Sequence, residues 1–286
     1  MKVPQLRMSR RTLAVVAALT ATVSLAIGAH AALNMRAMDA AKAVATEQGA
    51  TLTRKASRVA LIIGNGHYPD ATTPLTQSIN DARALSASLR HDGFDVDVIE
   101  DASKDDMVRA LDRLRGRIRS DSIVMLFFGG YGIQVGRESF MIPVDATIWK
   151  EADVKREGVA VEAVLDVMKS QGARAKLVVL DASRRNPFER RFRTYSHGLA
   201  PIAAPDNALI MTSATPGKVA EDTKGRHSTL VGELLSQLAK GDGAEAMFNK
   251  TRIAISKISA GEQVPAVSSS LLEDIRFATA DTTAAK

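Results

Sequence analysis

Four short runs do most to limit what this chain can fold into: RVALIIGN (58–65), SIVMLFFGG (122–130), KLVVLDA (176–182) and ALIMTSA (208–214). Each is apolar on both faces, so each must be covered from both sides, which suits parallel strands with helices packed above and below. FDVDVIE (94–100) alternates instead, with Phe94, Val96 and Val98 on one face and Asp95 and Asp97 on the other. It belongs at or near a sheet edge, where one face meets water. Between the runs, apolar residues recur at helical spacing: Ile79, Ala82, Leu85 and Leu89, then Met107, Leu111, Leu114 and Ile118. Val161, Val164, Leu165 and Met168 mark a third helix, and Leu230, Val231, Leu234, Leu235 and Leu238 a fourth. Ser103 followed by Asp106 is a start signal for the second, a carboxylate form of the capping box. The order β-α-β-α-β-α-β-β-α predicts an α/β fold of three layers, a mostly parallel sheet flanked by helices on both faces.

Composition then narrows the chemistry. The 286 residues include no cysteine, which excludes disulfides, zinc–thiolate sites and any thiol nucleophile. The formal charge is +6, but Lys2, Arg7, Arg10 and Arg11 supply four of those charges before the first acid, Asp39. Without that segment the balance is +2, too little to point to a nucleic-acid partner. The segment itself has the form of a targeting signal. A basic stretch ending in SRR precedes an 18-residue apolar run, 12–29, and AHA (29–31) fits a small-residue cleavage site. Ser9-Arg10-Arg11-Thr12-Leu13 also resembles a twin-arginine export signal. Uncleaved, the apolar run is just long enough to anchor the chain in a bilayer, the one circumstance in which membrane contact is expected. The expected organisation is a signal peptide or signal anchor over 1–31, an Ala-rich linker over 32–56, one domain over 57–280 and a tail over 281–286. The domain is expected outside the cytoplasm, periplasmic or extracellular.

GNGHYPD (64–70), GGYG (129–132) and DASRRNP (181–187) each follow an apolar run, which places all three at the carboxyl edge of the sheet, where such folds keep their ligands. GNG is not a dinucleotide loop, for no third glycine follows at the required spacing and Pro69 stands where the helix should begin. No cluster of histidines and acids has ligand spacing, so neither a metal nor another cofactor is inferred. These motifs, with SINDARALSASLRHDGFDVDV, MLFFGGYGIQVGRESFMIPVDA, KLVVLDASRRNPF and GEQVPAVSSSLLED, resemble in their order the caspase-like domain of bacterial metacaspase and orthocaspase relatives, over about residues 57–278.

The resemblance implies a cysteine endopeptidase fold, a caspase-like α/β sandwich, whose active members carry a histidine and a cysteine as catalytic dyad. Tyr131 stands in the histidine position and Ser183 in the cysteine position. A serine hydroxyl needs a base, and a tyrosine is ionised in only about one molecule in a thousand at pH 7. Loss of one member of a nucleophile–base unit already costs about 10⁴ to 10⁶ in rate. The pair is therefore expected to be inactive. The resemblance further assigns Gly132 and the Ser183 amide to an oxyanion site. It assigns Asp81 and Asp181 to a pocket for an arginine or lysine side chain, a group that paired carboxylates suit. Read without the resemblance, Asp81 is equally a helix cap and Asp181 a turn residue.

The expected ligand is a peptide or protein, Arg- or Lys-containing. Arg190, Arg191 and Arg193 in the loop 188–198 are candidates to fold back and fill the pocket from within. Two other readings stay open. One is a hydrolase using Ser183 with a displaced base such as His67; the other is an envelope scaffold working through a different surface. His91 is expected at the surface near a helix end, and His197 and His227 in solvent-exposed loops. The export reading predicts that protein from the envelope fraction begins at Ala32 by intact-mass measurement; a species that begins near Met1 and needs detergent for extraction shows an anchor instead.

Overall fold

The computed structural model describes residues 57–69, 74–185, 187–188, 198–221 and 225–277. The expected signal, linker and tail lie outside these residues. A six-stranded sheet forms the centre, ordered β2-β1-β3-β7-β8-β9. Its strands are β1 (Arg58–Gly64), β2 (Asp95–Glu100), β3 (Ile123–Gly129), β7 (Ala175–Asp181), β8 (Ala208–Thr212) and β9 (Ala266–Ser269). All neighbours run parallel except β8 and β9.

The four doubly apolar runs become the four interior strands β1, β3, β7 and β8, and the alternating one becomes the edge strand β2. Successive residues of each interior strand feed opposite layers. Ile62, Phe127, Val179 and Met211 pack beneath α1 (Thr76–His91), α5 (Thr229–Leu238) and α6 (Ala244–Ile258). Ile63, Phe128, Leu180 and Ile210 pack on the other side against α2 (Lys104–Arg117) and α4 (Val161–Ser170). Both layers are dry: Ile62, Ile63, Phe127 and Phe128 have no accessible surface. The α2 helix starts as its sequence predicts, for the Ser103 hydroxyl accepts from the Asp106 amide and the Asp106 carboxylate accepts from the Ser103 amide.

The structure adds elements that the sequence reading did not contain. A second sheet, β4 (Gly132–Val135), β5 (Glu138–Met141) and β6 (Val159–Ala160), sits beyond the carboxyl edge with α3 (Glu151–Glu157) beside it. Its strands have two to four residues, too short to show a period in sequence. The α6 helix did carry a signal, with Ala244, Met247, Phe248, Thr251 and Ile255 buried along one face. At the edge, the acids of β2 are matched by cations of α2: Arg113 lies 2.9 Å from Asp97 and Arg117 2.5 Å from Asp95. Charged side chains of this kind discourage further strand pairing.

The strands are added on one side of β1 and then on the other, β2 first and β3 next, and this change of side places α1 and α2 on opposite faces. The crevice of such a fold opens where neighbouring strands send their connections to opposite faces, here at the carboxyl ends of β1 and β3. Gly64, the last residue of β1, allows α1 to lie directly on the sheet there. A Cβ at that position would stand 2.6 Å from the Ser78 carbonyl oxygen and 2.7 Å from the Ala82 Cβ. Gly64→Ala is therefore expected to cost about 1–3 kcal/mol by overpacking, a fall in Tm of roughly 2–12 °C. Gly116→Ala near the end of α2, where a Cβ meets nothing within 4 Å, is the control and is expected to be neutral or stabilising. Equal Tm values for the two variants in thermal unfolding contradict the packing argument.

Candidate functional site

The carboxyl ends of β1, β3 and β7 are tied together before any functional side chain is placed. The Asn65 amide donates to the Gly129 carbonyl at 2.8 Å. The Asn65 side chain, fully buried, donates to the Ile142 carbonyl at 3.2 Å and accepts from the Ala102 amide at 2.9 Å. Tyr68 extends the tie: its hydroxyl donates to the Ile142 carbonyl at 2.8 Å and accepts from the Tyr131 amide at 3.1 Å. Burial pushes the Tyr68 phenol well above its usual pKa, so it remains a donor. Its ring meets that of Tyr131 edge-on, centroids 4.7 Å apart. Tyr131 is thus held at the end of β3 by both its amide and its ring.

Ser183 follows β7 by two residues and is 1% exposed. Among the described residues its hydroxyl has no hydrogen-bond partner. Its amide donates to Ser213 Oγ at 3.2 Å, and its carbonyl accepts from the Ala220 amide at 2.7 Å. Gly198, at φ +73°, completes the cover. A Cβ there would collide with the Lys218 carbonyl, and the Ser183 Cβ is 3.6 Å from the same point. The Gly132 amide donates to the Ala182 carbonyl at 2.9 Å. Both amides assigned to an oxyanion site by resemblance are thus engaged within the chain.

The two acids also sit at this edge, both buried. Asp81 has no accessible surface, and Asp181 is 2% exposed. Asp81 stands on the second turn of α1, which has no acid in its first turn, so it is not a cap of that helix. Its carboxylate meets His227 Nδ1 at 2.7 Å and accepts from the Ser228 amide at 3.1 Å. Ser228 in turn caps α5, its hydroxyl accepting from the Val231 amide. Burial pushes the Asp81 carboxyl up to about 6, and the negative charge of Asp181 adds to the rise against the opposing bonds from Ser228 and His227. Asp181 has its own partner in Arg184, 4% exposed, whose Nη2 lies 3.5 Å from Asp181 Oδ2. Arg184 Nη1 donates to the Gly130 carbonyl at 3.0 Å and to the Asp181 carbonyl.

The sequence reading placed His227 in a solvent-exposed loop. The structure corrects this, with the side chain 27% exposed and bound to Asp81, 146 residues away. No local pattern announces so distant a pairing. Arg184 belongs to the DASRRNP motif, but nothing in that motif marks its role, and Ser213 and Asn65 carry no signal of their own. His91 lies in the last turn of α1 as expected, with its side chain 90% exposed. His67 is held elsewhere: its Nδ1 lies 2.6 Å from Asp101 Oδ2, with its side chain 59% exposed. Burial alone would raise the Asp101 carboxyl, but the amides of His67 and Gly66 and the His67 ring together hold it below the usual value. His197, Arg190, Arg191 and Arg193 lie outside the described residues. Among the described residues no group of three or more histidines and acids is placed to hold a metal ion.

An open cleft of about 320 Å³ adjoins this buried group, lined by Tyr131, Arg184, Arg185, Val219, Ala220 and Glu221. Neither Ser183 nor either acid lines it. The caspase domain model matches residues 57–276, and the chain belongs to that family. No curated protein matches the chain.

A raised Asp81 has a consequence for stability. Between about pH 4, where an unfolded aspartate loses its proton, and about pH 6, the folded chain retains a proton that the unfolded chain has released. Stability from this group is therefore greatest below that window and falls as pH rises through it, by about 2–3 kcal/mol in all. The groups facing Asp81 are His227, Ser228 and Asp181, with Arg184 behind the last. Urea unfolding is expected to show wild type losing stability relative to Asp81→Asn across pH 4–6, with no further relative change above pH 7. Parallel profiles for the two proteins contradict a raised Asp81.

Proposed function

We propose that this member of the caspase-domain family binds a peptide or protein segment at the carboxyl edge of its sheet and lacks the family's peptidase chemistry. The observation that carries the reading is Ser183: 1% exposed, its hydroxyl without a hydrogen-bond partner among the described residues. A serine nucleophile requires a base within hydrogen-bond reach. The absence of cysteine and the engagement of the Gly132 and Ser183 amides support the same reading. The ligand would enter beside Tyr131 along residues 219–221, with Asp81 and Asp181 behind the cleft as partners for an arginine or lysine side chain. In this proposal the chain is exported, and its ligand is met outside the cytoplasm.

The test combines turnover with binding. Arg- and Lys-containing peptides are expected to be cleaved by wild type no faster than by Ser183→Ala. Their binding, read by fluorescence anisotropy, is expected to weaken about tenfold or more in the Asp81→Asn, Asp181→Asn double variant, the loss of one charge-assisted contact. Turnover that disappears in Ser183→Ala identifies a serine hydrolase instead. Unchanged binding in the double variant leaves a scaffold that uses another surface.

A further inference from the structure

We propose that Arg184 is an internal occupant of the acid-lined pocket: its guanidinium takes the position against Asp181 that a ligand's guanidinium would take. The chain thereby keeps its own site closed until Arg184 withdraws. This rests on the reading of Asp81 and Asp181 as a ligand pocket.

Three observations lead to it. First, the surroundings of the Arg184 head form a guanidinium cradle that includes the Gly130 carbonyl, the Asp181 carbonyl and the Asp181 carboxylate. Planar N–H donors fanned over two oxygen directions suit such a set, and a point-like ammonium suits it less well. Second, Arg184 lines the open cleft, whereas Asp181 does not. Arg184 therefore reaches both the cleft and the acid, and links the one to the other. Third, the contact with the carboxylate is loose. At 3.5 Å from Asp181 Oδ2, Nη2 neutralises the charge without forming the short paired bonds of a full arginine–carboxylate fork. A ligand able to make that fork could compete for the place. Asp81 is closed from the other side by His227 and Ser228, so each acid has an internal partner.

Removal of the occupant should leave a vacancy of matching chemistry. Arg184→Ala is expected to lower Tm by roughly 10 °C, since it strands a buried carboxylate. Ethylguanidinium, the excised head with a short stem, is then expected to raise the Tm of the variant with concentration. At roughly a hundred times its dissociation constant it should restore about 5–10 °C. Ethylammonium, equal in charge but lacking the fork, should do markedly less. Wild type should not distinguish the two salts, and neither should an Arg184→Ala, Asp181→Asn double variant.

The proposal is overturned if Arg184→Ala responds no more than wild type, or if the double variant responds as strongly as the single one. Should Arg184→Ala fold poorly, the yield of refolded protein with either salt gives the same answer, with Arg184→Lys as the milder variant. No preference for ethylguanidinium in either variant counts against the proposal. A second arm separates this inference from the function it rests on. Arginine peptides are expected to bind Arg184→Ala or Arg184→Lys about tenfold or more tightly than wild type. Rescue by ethylguanidinium without peptide binding in any variant leaves the internal occupant standing and sinks the peptide reading. Tight peptide binding by wild type, with no rescue, does the reverse.

Discussion

Two carboxylates buried at one edge of a sheet form the constraint on which this site depends. A charged aspartate without water is tolerated only where donors or cations surround it, and two close together raise each other's cost. Asp81 and Asp181 meet that condition by drawing in parts of the chain that are far apart in sequence. Asp81 collects His227 and the Ser228 amide from the start of α5, and Asp181 collects Arg184 from the turn after β7. Gln77 and Asn80 on the same helix donate to the Gly225 and Arg226 carbonyls, so residues 225–228 are fastened to α1 one after another. Asp81 therefore helps to hold residues 227–228, which lead into α5, against α1.

The tie made by Asn65 and Tyr68 has a related role on the other side of the crevice. Asn65 joins the ends of β1 and β3 to the residues after β2 and β5, and Tyr68 carries the link to the Tyr131 amide. All these bonds are made by buried or half-buried groups, where an unpaired donor or acceptor costs more than a formed bond returns. The crevice is consequently built on a preformed frame.

What was legible in the sequence follows from the range of the forces involved. The interior strands were visible because burial on both faces leaves a continuous apolar run, and the edge strand because Asp95 and Asp97 interrupt every second position. The helices α1, α2, α4 and α5 were visible through their three- and four-residue spacing. The small sheet was not, since strands as short as Val159–Ala160 carry no period. At the site, motif order brought Tyr131, Gly132, Asp181 and Ser183 to one edge, and a resemblance was needed to add Asp81. The partners that decide how those residues behave were out of reach. His227 and Asp81 are separated by 146 residues, and nothing in RHST distinguishes a bonded histidine from a loop histidine. Arg184 is close in sequence to Asp181, but only the backbone turn reveals that its head points back to Gly130 rather than outward.

At the positions where the resemblance places a histidine and a cysteine, Tyr131 packs edge-on against Tyr68 and Ser183 is buried. A serine hydroxyl is close in size to a thiol but differs in chemistry, for it needs a base to become a nucleophile. Tyrosine in place of histidine adds aromatic surface. Its edge-on contact with Tyr68 is of a kind worth about 0.5–1.5 kcal/mol beyond simple burial. The amides that could have faced a reacting carbonyl are bonded to Ala182 and Ser213. The ends of β3 and β7 are thus closed by bonds within the chain, and the polar residues that line the neighbouring cleft are Tyr131, Arg184, Arg185 and Glu221.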